Sequence, residues 1–334
     1  RTLIGYNSST DEDERIRPVG DLATEVPQPT NGGLTYTFTL RDGAMWNAPS
    51  GARQVTSVDF ERGMKRMCNP ALGSAALTYF VTLIEGMESF CDGFAEVEPT
   101  VDAMKAYIEE NDISGITQPD DMTVEITLTE TAGDFVYMVS LPTASPAPVE
   151  VLDYMPDGPE YRANYIASGP YTPVDYVPDG SLKLDRNPAW SADADPLRAA
   201  NVDHIEITFG VQPDAAIQQL QAGDADVVYD ITIPPAILSL LTATADPKVM
   251  TMSAGRTAFL FINTVSENNN GALKDLRVPP KTEHVLKSPA QVEKISKEVK
   301  THIKGVWDDA LKSGKAALIE IVMDSRQSTT RSTL

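Results

Sequence analysis

No apolar run in the sequence approaches the roughly 20 residues a helix needs to span a bilayer, so no transmembrane helix is expected. Histidine is scarce: His204, His284 and His302 are the only ones, and none has a Cys, His or carboxylate partner at metal-ligand spacing. No metal site is expected. A Gly-x-Ser-x-Gly elbow, a Walker loop and a Rossmann fingerprint are all absent, which removes the hydrolase and nucleotide-binding readings and leaves Gly32-Gly33 as a turn. Basic residues are few, 27 Lys and Arg against 48 Asp and Glu, for a net charge of -21. A field of that sign repels phosphate and excludes nucleic acid as a partner. Cationic or neutral ligands fit better, although an acidic surface also serves solubility alone. The run Asp11-Glu12-Asp13-Glu14 reads as a solvated loop and not as an ion site. Cysteine occurs only at Cys68 and Cys91, with 22 residues between them. They are either a disulfide, the expectation in an oxidising compartment, or two buried free thiols.

What is present is a chain of 334 residues, 42% hydrophobic, long enough to bury a sizeable core in two domains or one large one. Leu34 to Leu40 alternates apolar residues with Thr and predicts a strand with Leu34, Tyr36, Phe38 and Leu40 on one face. Asp42-Gly43 then reads as a turn toward Met45-Trp46. Thr56-Ser57-Val58-Asp59 has the form of an N-terminal cap, and Phe60, Met64 and Met67 are spaced for one face of a helix from about Ser57 to Met67. Met122, Val124, Ile126 and Leu128 alternate as a second strand, after which the Pro-rich stretch Leu141 to Val149 interrupts regular structure. Farther on, Ile205–Phe209 as strand, Asp214–Ala222 as helix and Gly223–Val228 as a turn into another strand compose one β-α-β unit.

Three groups of residues resemble, in order, the extracytoplasmic solute-binding proteins of family 5, the oligopeptide- and dipeptide-binding proteins of ABC importers. The first is Tyr36 to Gly43 with Trp46, Val55-Thr56-Ser57, Asp59 and Arg62; the second is Ser168-Gly169-Pro170-Tyr171, Asp179 to Leu184 and Arg186 to Trp190; the third is Ile217 to Val227. Ala258 to Thr264 and Leu273 to Val278 continue the likeness, which covers roughly residues 1–278 and then stops. The resemblance implies an α/β, periplasmic-binding-protein-like (type II) first lobe with a mixed sheet and an inserted subdomain, the second lobe being largely missing. Residues 1–50 and 166–262 are expected to form that lobe, 51–165 the insertion, and 263–278 the start of a truncated second lobe. It implies a capture protein and not an enzyme: a peptide or another small solute is gripped between lobes, without cofactor, and delivered to a membrane permease. The expected setting is extracytoplasmic, as a monomer that touches the membrane only through a lipid anchor preceding Arg1. The chain opens at Arg1 with neither a basic n-region nor an apolar h-region, so any export signal is expected to lie outside it.

A peptide cleft relies on backbone groups and aromatic walls, which leaves little side-chain signature. The residues nominated for it are Tyr6 and Asn7, which face the cleft if the resemblance holds, Trp46 as a pocket wall, and Ser168, Gly169 and Tyr171 around a small-residue loop. Ordinary packing is the competing role for Trp46 and Tyr171, and a turn for Gly169.

Residues 279–334 differ in kind, with 10 Lys and Arg against 7 Asp and Glu, whereas residues 1–278 carry a net charge of -24. Trp307 to Asp324 resembles the closing segment of thiamine-diphosphate-dependent enzymes, so the tail over about 285–324 is expected to be an unrelated helix-strand ending, the product of a chimaeric frame. No motif for holding the diphosphate accompanies it.

Overall fold

The structure is a computed structural model that describes residues 1–244. It divides into two compact units, Arg1–Gly210 and Val211–Leu334. The strands of the first unit are β1 (Ile4–Tyr6), β2 (Pro18–Gly20), β3 (Thr35–Thr39), β4 (Met45–Trp46), β5 (Arg53–Gln54), β6 (Ile116–Asp120), β7 (Thr123–Thr127), β8 (Tyr171–Val177), β9 (Ser181–Arg186) and β10 (His204–Thr208). Its helices are α1 (Glu12–Arg15), α2 (Ser57–Met67), α3 (Leu77–Phe80), α4 (Met87–Ala95), α5 (Val101–Glu110), α6 (Phe135–Met138) and α7 (Pro159–Ala163). In the second unit α8 (Pro213–Ala222) and α9 (Pro235–Ala243) are described.

The main core lies on one face of the sheet β3-β7-β6. Side chains alternate across a strand, so the register that sets Tyr36 opposite Ile126 and Phe38 opposite Val124 sends all four inward. Leu40 and Leu128 are buried with them, as the alternation predicts, while Leu34 and Met122 at the outer ends are half-buried. Helix α2 occupies the span expected of it, and Phe60, Met64 and Met67 are buried in the same core. Its start is held by the carboxylate of Asp59, which accepts the backbone N–H of Thr56 at 3.1 Å. That leaves fewer orphan donors in the first turn. Asp59 also accepts from the indole of Trp46 at 2.8 Å and pairs with the guanidinium groups of Arg62 and Arg53.

Gly63 sits where α2 passes the Pro-rich segment. A Cβ there would stand 2.1 Å from the carbonyl oxygen of Ser145, a backbone atom that cannot swing aside. Gly63→Ala is therefore expected to destabilise the protein by about 1–3 kcal/mol, despite alanine's better helix propensity. Chemical denaturation would measure it, and an unchanged midpoint would show that 145–146 shifts freely.

Cys68 at the end of α2 and Cys91 in α4 are joined as a disulfide. The free-thiol alternative does not apply in this structure. A second, smaller core gathers Leu22, Ala44, Trp46, Ala48, Val55 and Ile166. The sheet β10-β9-β8 is antiparallel throughout and half-exposed, with His204 directly opposite Asp185.

Every described strand pairing is antiparallel, so the parallel partner that a mixed sheet requires is not among the described residues. Strand β3, in the segment 1–50, pairs with β7, in the segment 51–165, and Trp46 packs with Ile166, two residues expected in the same lobe. The last strand of the β-α-β unit does not form: Gly223, in the left-handed region at φ 82°, caps α8, and Val227 beyond it is 74% exposed. A strand exists through its hydrogen-bonded neighbour, and residues 224–230 have none among the described strands. The segments assigned to the second lobe (263–278) and the tail (279–334) lie outside the described residues, as do His284 and His302.

Candidate functional site

Between β1 and β2 the chain makes an excursion, residues 7–17, whose ends are pinned by the pairing of Tyr6 with Pro18. Within it Asp11 caps the short helix α1, its Oδ1 accepting the N–H of Glu14 at 3.1 Å. The hydroxyl of Ser9 donates to Oε2 of Glu14 at 2.8 Å. This excursion forms one wall of an open depression of about 1170 Å³. The start of β8 and the loop 196–202 form the others, so that Asn7, Glu14, Arg17, Tyr171, Arg198 and Val202 share one concavity within the first unit.

Two fixed features shape the far wall. Tyr171 donates its hydroxyl to the carbonyl of Val202 at 2.8 Å and accepts the Val202 N–H at 3.4 Å, which ties the loop to β8. Arg198 is held from behind by two buried carboxylates. Its Nη2 meets Oδ2 of Asp21 at 2.8 Å and its Nη1 meets Oδ1 of Asp195 at 3.0 Å. Arg1 completes the group, with its Nε 2.8 Å from Asp21, and the indole of Trp190 donates to Asp195 at 2.9 Å. Burial opposes ionisation of Asp21, but the hydrogen bonds and charges of Arg198 and Arg1 outweigh it and hold its carboxyl below the ordinary range. Burial likewise works against the Arg198 cation, and Asp21 and Asp195 more than offset it. The two carboxylates and the two guanidinium groups pair with one another, and the cluster positions the loop.

Of the residues nominated from sequence, Asn7 and Tyr171 come together in this depression. Tyr6 is 38% exposed beside it, its hydroxyl 3.5 Å from Ser140 Oγ. Trp46 cannot wall an open pocket, since it is 4% exposed and its N–H is spent on Asp59. Its bulk fills the smaller core instead, the packing role that aromatics most often take. Ser168 is buried, and Gly169 offers its carbonyl to Asn187 Nδ2 at 2.8 Å. Pro170 of that loop reaches the depression, whereas Ser168 and Gly169 do not line it. Glu14 is read from sequence only as part of a solvated acidic run, Arg17 and Arg198 are not singled out, and although Asp195 stands three positions before Arg198, its other partner, Asp21, is 177 residues away. Among the described residues no cluster of three or more His, Cys, Asp or Glu side chains could hold a metal, and no helix is long and apolar enough to cross a membrane.

The model of the bacterial extracellular solute-binding proteins, family 5, matches residues 17–278. The chain belongs to this family. Among family 5 relatives, the dipeptide-binding protein DppE of Bacillus subtilis is 28% identical over 201 residues, which are 58% of this chain and 32% of that protein. The periplasmic oligopeptide-binding protein OppA of Salmonella typhimurium is 25% identical over 195 residues, again 58% of this chain and 32% of the relative. Of solved structures, clavulanic acid biosynthesis oligopeptide binding protein 2 superposes with a TM-score of 0.61 at 27% identity, over 73% of this chain and 40% of its own. The murein tripeptide binding protein MppA of Escherichia coli shares the fold at a TM-score of 0.61 and 22% identity, over 79% and 46%. The chain thus spans about a third of the length of these curated relatives and under half of these structures. The match ends at Val278, where the resemblance read from the motifs also stops. The likeness of the 285–324 tail to thiamine-diphosphate enzymes is not borne out by these matches, and that segment lies outside the described residues.

Proposed function

We propose that the chain is the substrate-binding component of an ABC importer, which captures peptides outside the bacterial membrane and delivers them to a permease. The family match over residues 17–278 carries the reading, and relatives named for dipeptides and oligopeptides support peptide as the cargo. The Cys68–Cys91 disulfide fits an oxidising, extracytoplasmic setting. In this reading, residues 1–50 and 166–262 contribute to one ligand-gripping lobe and 51–165 to its subdomain. Ligand favours a closed arrangement by binding it better than the open one, and the closed form docks on the permease. No bond is made or broken.

A ligand that binds only the folded state raises stability by about 2.7 kcal/mol at one hundred times its dissociation constant. Thermal unfolding of the 334-residue protein with increasing di- to pentapeptide mixtures is expected to show a dose-dependent rise in midpoint. A midpoint unmoved by every peptide, together with no heat on calorimetric titration, would overturn the reading.

A further inference from the structure

Residues 30–35 form a turn whose closure converges on one residue. The backbone N–H groups of Gly33, Leu34 and Thr35 all donate to the carbonyl of Thr30, at 3.0, 3.1 and 3.2 Å, and the N–H of Thr30 donates to the carbonyl of Thr35 at 2.8 Å. Strand β3 begins at that closure, and Tyr36, one residue on, is buried in the main core. At the tip Asn31 and Gly32 are exposed, and both lie in the left-handed region, at φ 51° and 69°. Asn tolerates that region and Gly enters it freely, so the pair suits the turn.

The same pair places a nucleophile beside an amide carbonyl. Asparagine precedes glycine at Asn31-Gly32 and at Asn270-Gly271, and the second pair lies outside the described residues. In the described Asp-Gly pairs outside the helices, the glycine nitrogen is held in hydrogen bonds. Gly43 donates to Asp42 Oδ1 and Gln54 Oε1, each at 2.9 Å, Gly158 to the carbonyl of Met155 at 3.0 Å, and Gly180 to that of Val177 at 2.9 Å. The N–H of Gly32 has no such bond among the described residues, nor does the side-chain amide of Asn31. Beyond its chain neighbours, no atom stands within 4 Å of where a Cβ on Gly32 would be.

We propose that Asn31 is a modification site, where the backbone nitrogen of Gly32 attacks the side-chain carbonyl carbon of Asn31 and converts it, through a cyclic imide, to aspartate and isoaspartate. The nitrogen gives its proton to hydroxide and bonds to Cγ, and the side-chain amide leaves as ammonia, taking a proton from water and restoring the hydroxide. Water then opens the ring. Cleavage of the bond to Cγ leaves aspartate, whereas cleavage of the bond to the main-chain carbonyl carbon leaves isoaspartate, whose main chain is one carbon longer. Both products add a negative charge, but only isoaspartate lengthens the loop that brings three amides onto Thr30, so only isoaspartate opens the start of β3. The inference is independent of the solute-binding reading.

The test incubates the folded 334-residue protein in mildly alkaline buffer made with heavy-oxygen water and maps its peptides by mass spectrometry. Asn31 is expected to be largely converted, with uptake of label, before the exposed Asn7 and Asn201, neither followed by glycine, yield product. Asn31→Gln should stay intact, because its longer side chain must close a six-membered ring. Asn31→Asp supplies the added charge without the extra carbon, so amide exchange at Gly33 and Thr35 should stay slow in that variant and become fast in the isolated isoaspartate form. Survival of Asn31 in the folded protein for as long as Asn7 and Asn201, or conversion only once denaturant is added, would overturn the proposal. Unchanged exchange in the isoaspartate form would overturn the effect on β3.

Discussion

Asp21→Ala is expected to destabilise the protein by about 3–5 kcal/mol, the range for removing one partner of a buried ion pair. The side chains of Asp21 and Asp195 are fully buried and that of Arg1 is 1% exposed, so the cations left behind cannot recover water without opening the structure. Arg198, 35% exposed, can turn partly outward, which keeps the expected loss from exceeding that range. For a unit of this size such a loss lowers the thermal midpoint by about 10 °C. Asp21→Asn preserves shape and one acceptor and should fall between wild type and alanine. Equal midpoints for all three proteins would show that the cluster contributes no stability. The same geometry fixes a pH dependence. The folded Asp21 carboxyl titrates below its ordinary value of 3.8, so its contribution is present above that value and is lost as pH falls through the lower, folded one. Acid unfolding of wild type should therefore contain a component near and below pH 3.8 that Asp21→Asn lacks.

Loss of the Cys68–Cys91 disulfide is the second large effect expected. The bond closes a loop across a sequence separation of 23, for which chain-entropy arguments give about 3 kcal/mol. Both cysteines are buried in the main core, Cys68 at 4% and Cys91 at 9% exposure, in the same cluster as Met64, Met87, Phe90 and Phe94. Reductant reaches the bond slowly at best until that core opens, so reduction should couple to unfolding. Guanidinium denaturation with and without reductant would show it, and a Cys68→Ala/Cys91→Ala variant should match the reduced protein and ignore reductant. Identical midpoints in oxidised and reduced wild type would contradict the expectation.

Fold and site were legible to different degrees, and particular residues show why. Helix α2 could be placed from sequence to its last residue because its cap and its apolar stripe are local, written within twelve positions of one another from Thr56 to Met67. Trp46 belongs to the same local motif, yet the motif leaves both a pocket wall and core packing open for it. Burial depends on Val55 and Ile166 as much as on Trp46 itself, and Ile166 lies far along the chain. The extra strand after Gly223 failed for a related reason, since an alternating segment states a preference and needs a neighbour to become a strand.

The sequence by itself determined the family, through an ordered set of short motifs, and with it the inward faces of β3 and β7 and the single possible cysteine pair. The net charge of -21 is likewise a property of composition alone. Only the tertiary structure decided that Asn7 and Tyr171 share a concavity and that Arg198 is neutralised from behind by Asp21. Those facts depend on segments more than 150 residues apart meeting through one register of β1 on β2 and one placement of the 196–202 loop. Charge complementarity falls off over a few ångströms, and sequence spacing carries no information at that scale about residues joined only by folding.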